Sequence, residues 1–377
     1  MRPALIKALE KLVTWVQRDL LPIWGHQRSL MPEGCVGAGL DRQGMIDDSS
    51  PVLLSSQAEI AYMLARADRL GWTNGNRPQV QKLIEFAGRQ GTLPCRSDGY
   101  VHSIDRDFSI LDDHHHLTDH ALFILASTAA YSAYGDGSDA RRAYNIFDWL
   151  QRRLAHPQGG WFDSSDPGSS RSPRSHFYTL LAFLYLYEIS RKPRWLDAAE
   201  EIVALYQRML QHNGGPRLYR DYREDGTPAI TDTWYTEDQF LWVYGVQKFV
   251  RCSGRKLAAA DHYHSVCESQ ALGRNGIFVE KLGPDSDGAF ATSALAAAIL
   301  AGISLAAAGD QKAAVALENQ IHAFFNLCVL ENPSGLFVDR MDSTGAPEAY
   351  TSAATTFILF DAARDAFKWL NSSDLSS

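Results

Sequence analysis

Two stretches of this 377-residue sequence concentrate side chains that can do proton chemistry. The first runs from His102 and Asp105 to Asp112, Asp113, His114, His115 and His116, the densest group of titratable residues in the chain. The second, 230–240, reads ITDTWYTEDQF and sets Trp234 and Tyr235 among Asp232, Glu237 and Asp238. Carboxyl and imidazole groups gathered in one place can keep one member protonated and another ionised near neutral pH, the condition for general acid–base catalysis. Aromatic faces with interleaved Asp, His and Arg also suit a sugar, because rings stack on its C–H faces while polar groups fix its hydroxyls. Trp24, Trp161, Tyr178, Trp234, Tyr235 and Trp242 are the rings available, most of them expected to be packing. The triple histidine has no HExxH or other ligand spacing and no cysteine nearby, so no metal is expected there. No P-loop, GxGxxG or GxSxG pattern occurs, and no motif calls for a cofactor.

Such residues need elements that bring them together, and internal repetition supplies them. A glycine-led, aromatic-containing segment of hairpin character recurs six times, its lead glycines Gly37, Gly99, Gly160, Gly215, Gly276 and Gly335 lying 62, 61, 55, 61 and 59 residues apart. Between hairpins lie two helical patterns, as at 117–134 and 140–154 or 173–189 and 194–210. The stretch 350–370 supplies a last helix, and 1–23 is the partner that completes a sixth pair. The first helix of each pair is apolar (IAYMLA, ALFILA, TLLAFLYLY, ALAAAILAGI), whereas the second is charged and amphipathic (RRAYNIFDWLQRRL). Helices apolar all round are buried and amphipathic ones cover a surface. The expected fold is therefore all-α: a single (α/α)6 barrel of twelve helices over 1–377, with short β-hairpin-like loops at one end and 372–377 as a tail. An open superhelix is the alternative.

A net charge of −8 without basic runs points away from nucleic acid and anionic membranes as partners. The most apolar stretch, 294–308, is too short for a membrane span, and Glu10, Lys11, Arg18 and Asp19 interrupt any export signal in 1–23. Cys35, Cys95, Cys252, Cys267 and Cys328 are odd in number and widely spaced, which reads as reduced thiols in a cytoplasmic protein. The expected partner is a small-molecule sugar or oligosaccharide, bound by a monomer or homodimer.

Hairpins and inner-helix N-termini share one end of such a barrel, its mouth. Ser50-Pro51, Ser172-Pro173, Thr118 and a capping box at Thr236-Glu237-Asp238-Gln239 mark helix starts. The mouth then carries Gln57, Asp119, His120, His176, Tyr178, Glu237 and Asp238, of which Gln57, Asp119, Tyr178 and Glu237, with Trp24 and Trp234, are the candidate sugar-binding residues. Acidic residues favour a helix's first turn whatever the function, and His120 or His176 can serve as satisfied core histidines.

At these residues the chain resembles the N-acylglucosamine 2-epimerase superfamily, which includes mannose isomerases and cellobiose 2-epimerases. LLPIW, GAGLDRQGMIDD, LTDHALFILASTAAYSAYGD, RSPRSHFYTLLAFLYLYEI and DQFLWVYGVQKFVRCSG look like family segments along nearly the whole chain. The resemblance implies an (α/α)6 fold and a pair of histidines that deprotonate and reprotonate beside the sugar carbonyl. At the matching positions this chain carries Asp238 and Ile358, and the accompanying glutamate is Leu241. A segment similar to RxxxQxR keeps Gln57 but has Leu53 and Glu59, and one similar to NPHMH keeps His176 and has Tyr178. The resemblance thus implies a sugar isomerase or epimerase with other acid–base groups: Asp238 and His176, helped by Asp113 or His114. A glycoside hydrolase with paired carboxylates, such as Asp113 or Asp119 facing Asp238, and a noncatalytic sugar-binding barrel are the alternatives.

Overall fold

The computed structural model describes residues 2–25, 31, 34–47, 51–90, 99–166, 168–212, 217–223, 225–229, 233–255, 257, 259–269, 276–283 and 286–373. Ser50, Cys95, Gly215, Asp232 and the end of the expected tail lie outside the described residues.

Twelve helices alternate between an outer and an inner layer among the described residues. The outer helices are α1 (Pro3–Trp15, continued through a wider π-turn, Val16–Leu20, and a last turn, Leu21–Gly25), α3 (Arg77–Gln90), α5 (Gly137–Arg153), α7 (Pro193–His212), α9 (Ala260–Glu268) and α11 (Gln311–Ala323). The inner helices are α2 (Leu54–Leu70), α4 (Leu117–Tyr134), α6 (Pro173–Ser190), α8 (Thr236–Ser253), α10 (Thr292–Ala307) and α12 (Ala353–Ser373). Composition explains the partition: in α10 Ala, Leu and Ile are buried on every side, whereas α5 hides only a stripe that includes Ala143, Phe147 and Leu150. Each inner helix packs on the next, and α12 closes the ring on α2 while α1 covers α11 and α12. The open superhelix is excluded.

The mouth is closed in the same way, by a collar. The residues just before each inner helix pair with the hairpin of the following repeat. Val52 and Leu53 (β1) join Ile104 and Ser103 (β2), which pair on with Ile110–Asp112 (β3); Trp234 and Tyr235 (β4) join Leu282 and Lys281 (β5). Phe290 and Ala291 (β6) join Met341 and Arg340 (β7, Val338–Met341), backed by Pro347–Tyr350 (β8). Single bridges make the other three junctions, His116 to Ser164, Arg171 to Tyr222, and Ser352 back to Gly39.

Helix starts differ in part from expectation. Ser172 caps α6 by accepting from the Ser175 N–H, with Pro173 in the first turn. The capping box at Thr236 does not form: Tyr235 holds the cap position with no side-chain bond, and the Gln239 side chain is used elsewhere. For α4 the cap position is His116 rather than Thr118. The lead glycine of the third hairpin is required by space, since a Cβ on Gly160 would stand 2.8 Å from both His176 and Leu205, and its φ of +76° is left-handed.

The barrel axis is filled rather than open. Tyr178 on α6 meets Phe357 on the opposite helix α12, ring centroids 5.8 Å apart. Deeper, Arg364, 2% exposed in its side chain, donates to Asp361 at 2.7 Å, to Asp365 at 2.8 Å and to the Tyr244 hydroxyl at 3.0 Å, and it also contacts the Tyr62 and Tyr185 hydroxyls. This polar plug ties α12 to α2, α6 and α8. The plug separates the mouth from a second cavity at the far end, lined by Glu188, Lys248, Arg251, Asp365 and Lys368.

Candidate functional site

The fourth residue of an inner helix has one task in four repeats: it holds the preceding hairpin by its main chain. Gln57 accepts from the Val36 N–H at 2.8 Å and donates to Val36 O at 2.8 Å and Leu53 O at 3.0 Å. Gln239 repeats this on Leu218 N and O and on Tyr235 O, at 2.9, 2.7 and 3.2 Å. His120 accepts from Tyr100 N at 3.1 Å, and its Nδ1 meets His116 O at 2.8 Å. His176 accepts from Trp161 N at 3.1 Å, with Nδ1 on Ser172 O at 3.0 Å. A carbonyl partner requires Nδ1 to carry the proton, so both imidazoles are fixed as the Nδ1–H tautomer. Burial lowers the two histidines to about 3 and about 4.

His176 and Gln57 therefore spend their polar atoms on the chain itself, and His176 points outward to Tyr206 on α7. Replacing His176 by leucine strands the Trp161 N–H and is expected to cost about 1–3 kcal/mol, whereas glutamine, which does the same work at positions 57 and 239, is expected to retain most of it; urea unfolding midpoints compare the two. The depressed histidine also sets a sign. Between pH 6.5 and about 4 the unfolded chain binds a proton that the folded His176 does not, so stability falls on acidification through that window, and less steeply for His176→Gln.

The second, third and sixth helical positions form the mouth's polar lining. Arg174 on α6 reaches Glu237 at 3.0 Å and Asp238 at 3.1 Å on α8, and is itself half-buried. Against the pull of burial, the two carboxylates hold its guanidinium above the ordinary value. Glu59 on α2 is buried, and burial together with Asp119 and Glu237 pushes its carboxyl up to about 8, Arg174 opposing. Burial raises Glu237 against Arg174, and raises Asp119 against the bond from His102. Tyr178, raised by burial and by Glu237 and Glu59, stays a neutral phenol. The positions of Leu241 and Ile358 are apolar and buried.

The structure brings Asp119, Tyr178, Glu237 and Asp238 into this lining, with Trp234 buried on the collar strand beside it. Asp113 and His114 stand apart on the outer rim, 62% and 44% exposed in their side chains, His114 bonding Asp112 at 2.9 Å. Trp24 is wholly buried in the apolar core. Sequence reasoning passed over Glu59 as a bonding group. Its signal was there: a single acid directly before the apolar run IAYMLA, two residues after the clamp.

Comparisons with known proteins agree with this architecture. The family model described as N-acylglucosamine 2-epimerase matches residues 34–230, more than half of the chain. No curated protein matches it in sequence. Among solved structures, a cellobiose 2-epimerase from Spirochaeta thermophila superposes with a TM-score of 0.85 at 16% identity, covering 99% of this chain and 98% of that one. A D-mannose isomerase gives 0.81 at 16% identity, over 96% and 97%. An unsaturated glucuronyl hydrolase specific for heparin gives 0.67 at 12% identity, over 97% of each.

Proposed function

Because the chain belongs to the N-acylglucosamine 2-epimerase family, we propose that it isomerises a sugar by moving the proton at the carbon beside the carbonyl, with Glu59 as the group that takes and returns it. The observation that carries this reading is the Glu59 carboxyl itself, buried at the mouth and held at about 8. Carbon deprotonation needs a base matched to neutral pH, the role of the two family histidines whose positions are Asp238 and Ile358 here. Arg174, anchored by Glu237 and Asp238, supplies the positive charge that stabilises an enediolate oxygen, and the neutral Tyr178 hydroxyl supplies a donor. In the ionised form Glu59 accepts the C2 proton, leaving an enediolate; the hydroxyl proton passes from O2 to O1, and the same carboxyl returns its proton to C1. One base on one face yields aldose–ketose exchange, whereas inversion at C2 needs a second acid on the other face.

The acidic lining, Glu59, Asp119, Glu237 and Asp238 around Arg174, favours a neutral sugar over a phosphorylated or uronic one. Proton NMR in D2O of the protein with free aldoses, N-acylhexosamines and short glycosides tests the reading. A ketose appearing with deuterium at C1, together with deuterium at C2 of the recovered aldose, both lost in Glu59→Gln, is the expected result. A C2 epimer would move the assignment to epimerase, and new reducing ends from glycosides would move it to hydrolase. Ligand-induced shifts without turnover would leave a sugar-binding barrel.

A further inference from the structure

We infer that the collar beside this mouth is a divalent transition-metal site of two histidines and one carboxylate, His102, His116 and Asp112. His102 lies just before β2, Asp112 ends β3, and His116 precedes α4, so the hairpin folds three residues distant in sequence onto one spot. Each offers a ligand atom, and these atoms all lie within 4.8 Å of one another. The sequence spacing gave no hint of this because the ligands come from the residue before one strand, the end of another and a helix cap rather than from one helix.

Three features argue for an ion rather than for a network of hydrogen bonds. His116 Nε2 and Asp112 Oδ2 stand 3.3 Å apart, long for a charge-assisted bond. That spacing falls among those of two ligands of one ion, since metal–ligand bonds of about 2.0–2.2 Å at tetrahedral or octahedral angles place donors about 2.8–3.6 Å apart. The His102 and His116 rings pack closely in a tilted arrangement, centroids 4.1 Å apart and planes 30° apart, which disfavours two imidazolium cations side by side. Finally, His102 Nδ1 bonds Asp119 Oδ2 at 2.9 Å. An ionised carboxylate there requires Nδ1–H and leaves the lone pair on Nε2, which is the carboxylate–histidine–metal arrangement that orients a ligating ring.

Asp119 adds an independent sign. Its side chain is wholly buried, yet among the described residues Oδ1 has no hydrogen-bond partner, so one carboxylate oxygen is left without a protein donor there. A buried carboxylate is retained at low cost where a cation lies nearby. Both rings keep about a third of their surface exposed, enough for an ion to enter and for the rings to rotate onto it. Two imidazoles and one carboxylate suit Zn²⁺, Co²⁺, Mn²⁺ or Fe²⁺, with remaining positions open to solvent or ligand. From there the ion would polarise a sugar carbonyl, a role that rests on the function proposed above; its binding does not.

The test uses tag-free protein stripped with chelator and then titrated with Zn²⁺ and with Co²⁺, followed by calorimetry, by the visible d–d bands of Co²⁺ and by the metal-dependent rise in thermal midpoint. One ion per chain is expected. His116→Ala and Asp112→Asn should each abolish saturable binding, Asp119→Asn should weaken it by about 10- to 100-fold, and His114→Ala should leave it unchanged. Circular dichroism of each variant separates lost binding from lost folding, and the wild-type d–d bands report ligand type without any variant. Absence of stoichiometric binding by wild type overturns the assignment. So does a site that disappears in His114→Ala but survives in His116→Ala, which would place the ion on the exposed Asp112, Asp113 and His114 group instead.

Discussion

Substituting Glu59 by glutamine lowers turnover by about 10²- to 10⁴-fold, the contribution of a positioned acid–base group, while the barrel stays folded. Glutamine keeps the volume of the side chain, so the packing of α2 against α4 and α12 is preserved and KM should change little. The pH dependence separates this role from a structural one. With Glu59 acting in its ionised form, the wild-type rate climbs with pH and levels off above about 8, and the residual rate of the variant lacks that step. Stability runs the other way. The folded carboxyl binds its proton up to about 8 and the unfolded one only to 4.5, so the native state loses stability as pH rises across that interval. Denaturant titrations at pH 5 and pH 8.5 should therefore converge for Glu59→Gln relative to wild type. A variant that is fully active, or one whose stability profile matches wild type, removes Glu59 from the mechanism.

Arg364→Met is expected to destabilise the protein by about 3–5 kcal/mol, the cost of leaving buried charges without their partner. Asp361 and Asp365 both bond this guanidinium, and Tyr62, Tyr185 and Tyr244 are grouped around it. Lysine does not rescue, because an ammonium cannot span both carboxylates in the planar fork that Arg364 presents. Adding Asp361→Asn to Arg364→Met should recover part of the loss, since the double variant buries one fewer orphaned charge, and the cycle gives the coupling directly. Urea midpoints with an unchanged m-value are the measurement. Strictly additive losses would mean that the plug is a set of independent contacts.

The layering of the fold was legible because it is written as average polarity. A run such as ALAAAILAGI can lie only where every side is covered, and a run such as RRAYNIFDWLQRRL only where one side is wet. The site was less legible, for a physical reason. A histidine or glutamine near a helix start is as well suited to bonding a neighbouring main chain as to bonding a ligand, and only coordinates reveal which atoms are already engaged. His176 and Gln57 are engaged; Asp119, Glu237 and Asp238 are buried in the first turns of their helices. Trp24 illustrates the same ambiguity for aromatics, since a ring at a helix end can face a pocket or, as here, the core. Glu59 was obscured by comparison with a pattern that has arginine in its place.

The clamps at the start of the inner helices grip peptide groups and ignore the side chains those peptides carry. A mutation in the hairpin can therefore change what the mouth presents without loosening the collar that presents it. The barrel resembles a socket whose pins are interchangeable: selection for a new reaction works on one set of atoms and selection for a folded chain on another. A lineage built this way can exchange the residues of its mouth and remain a fully formed barrel, free to be recruited to other chemistry.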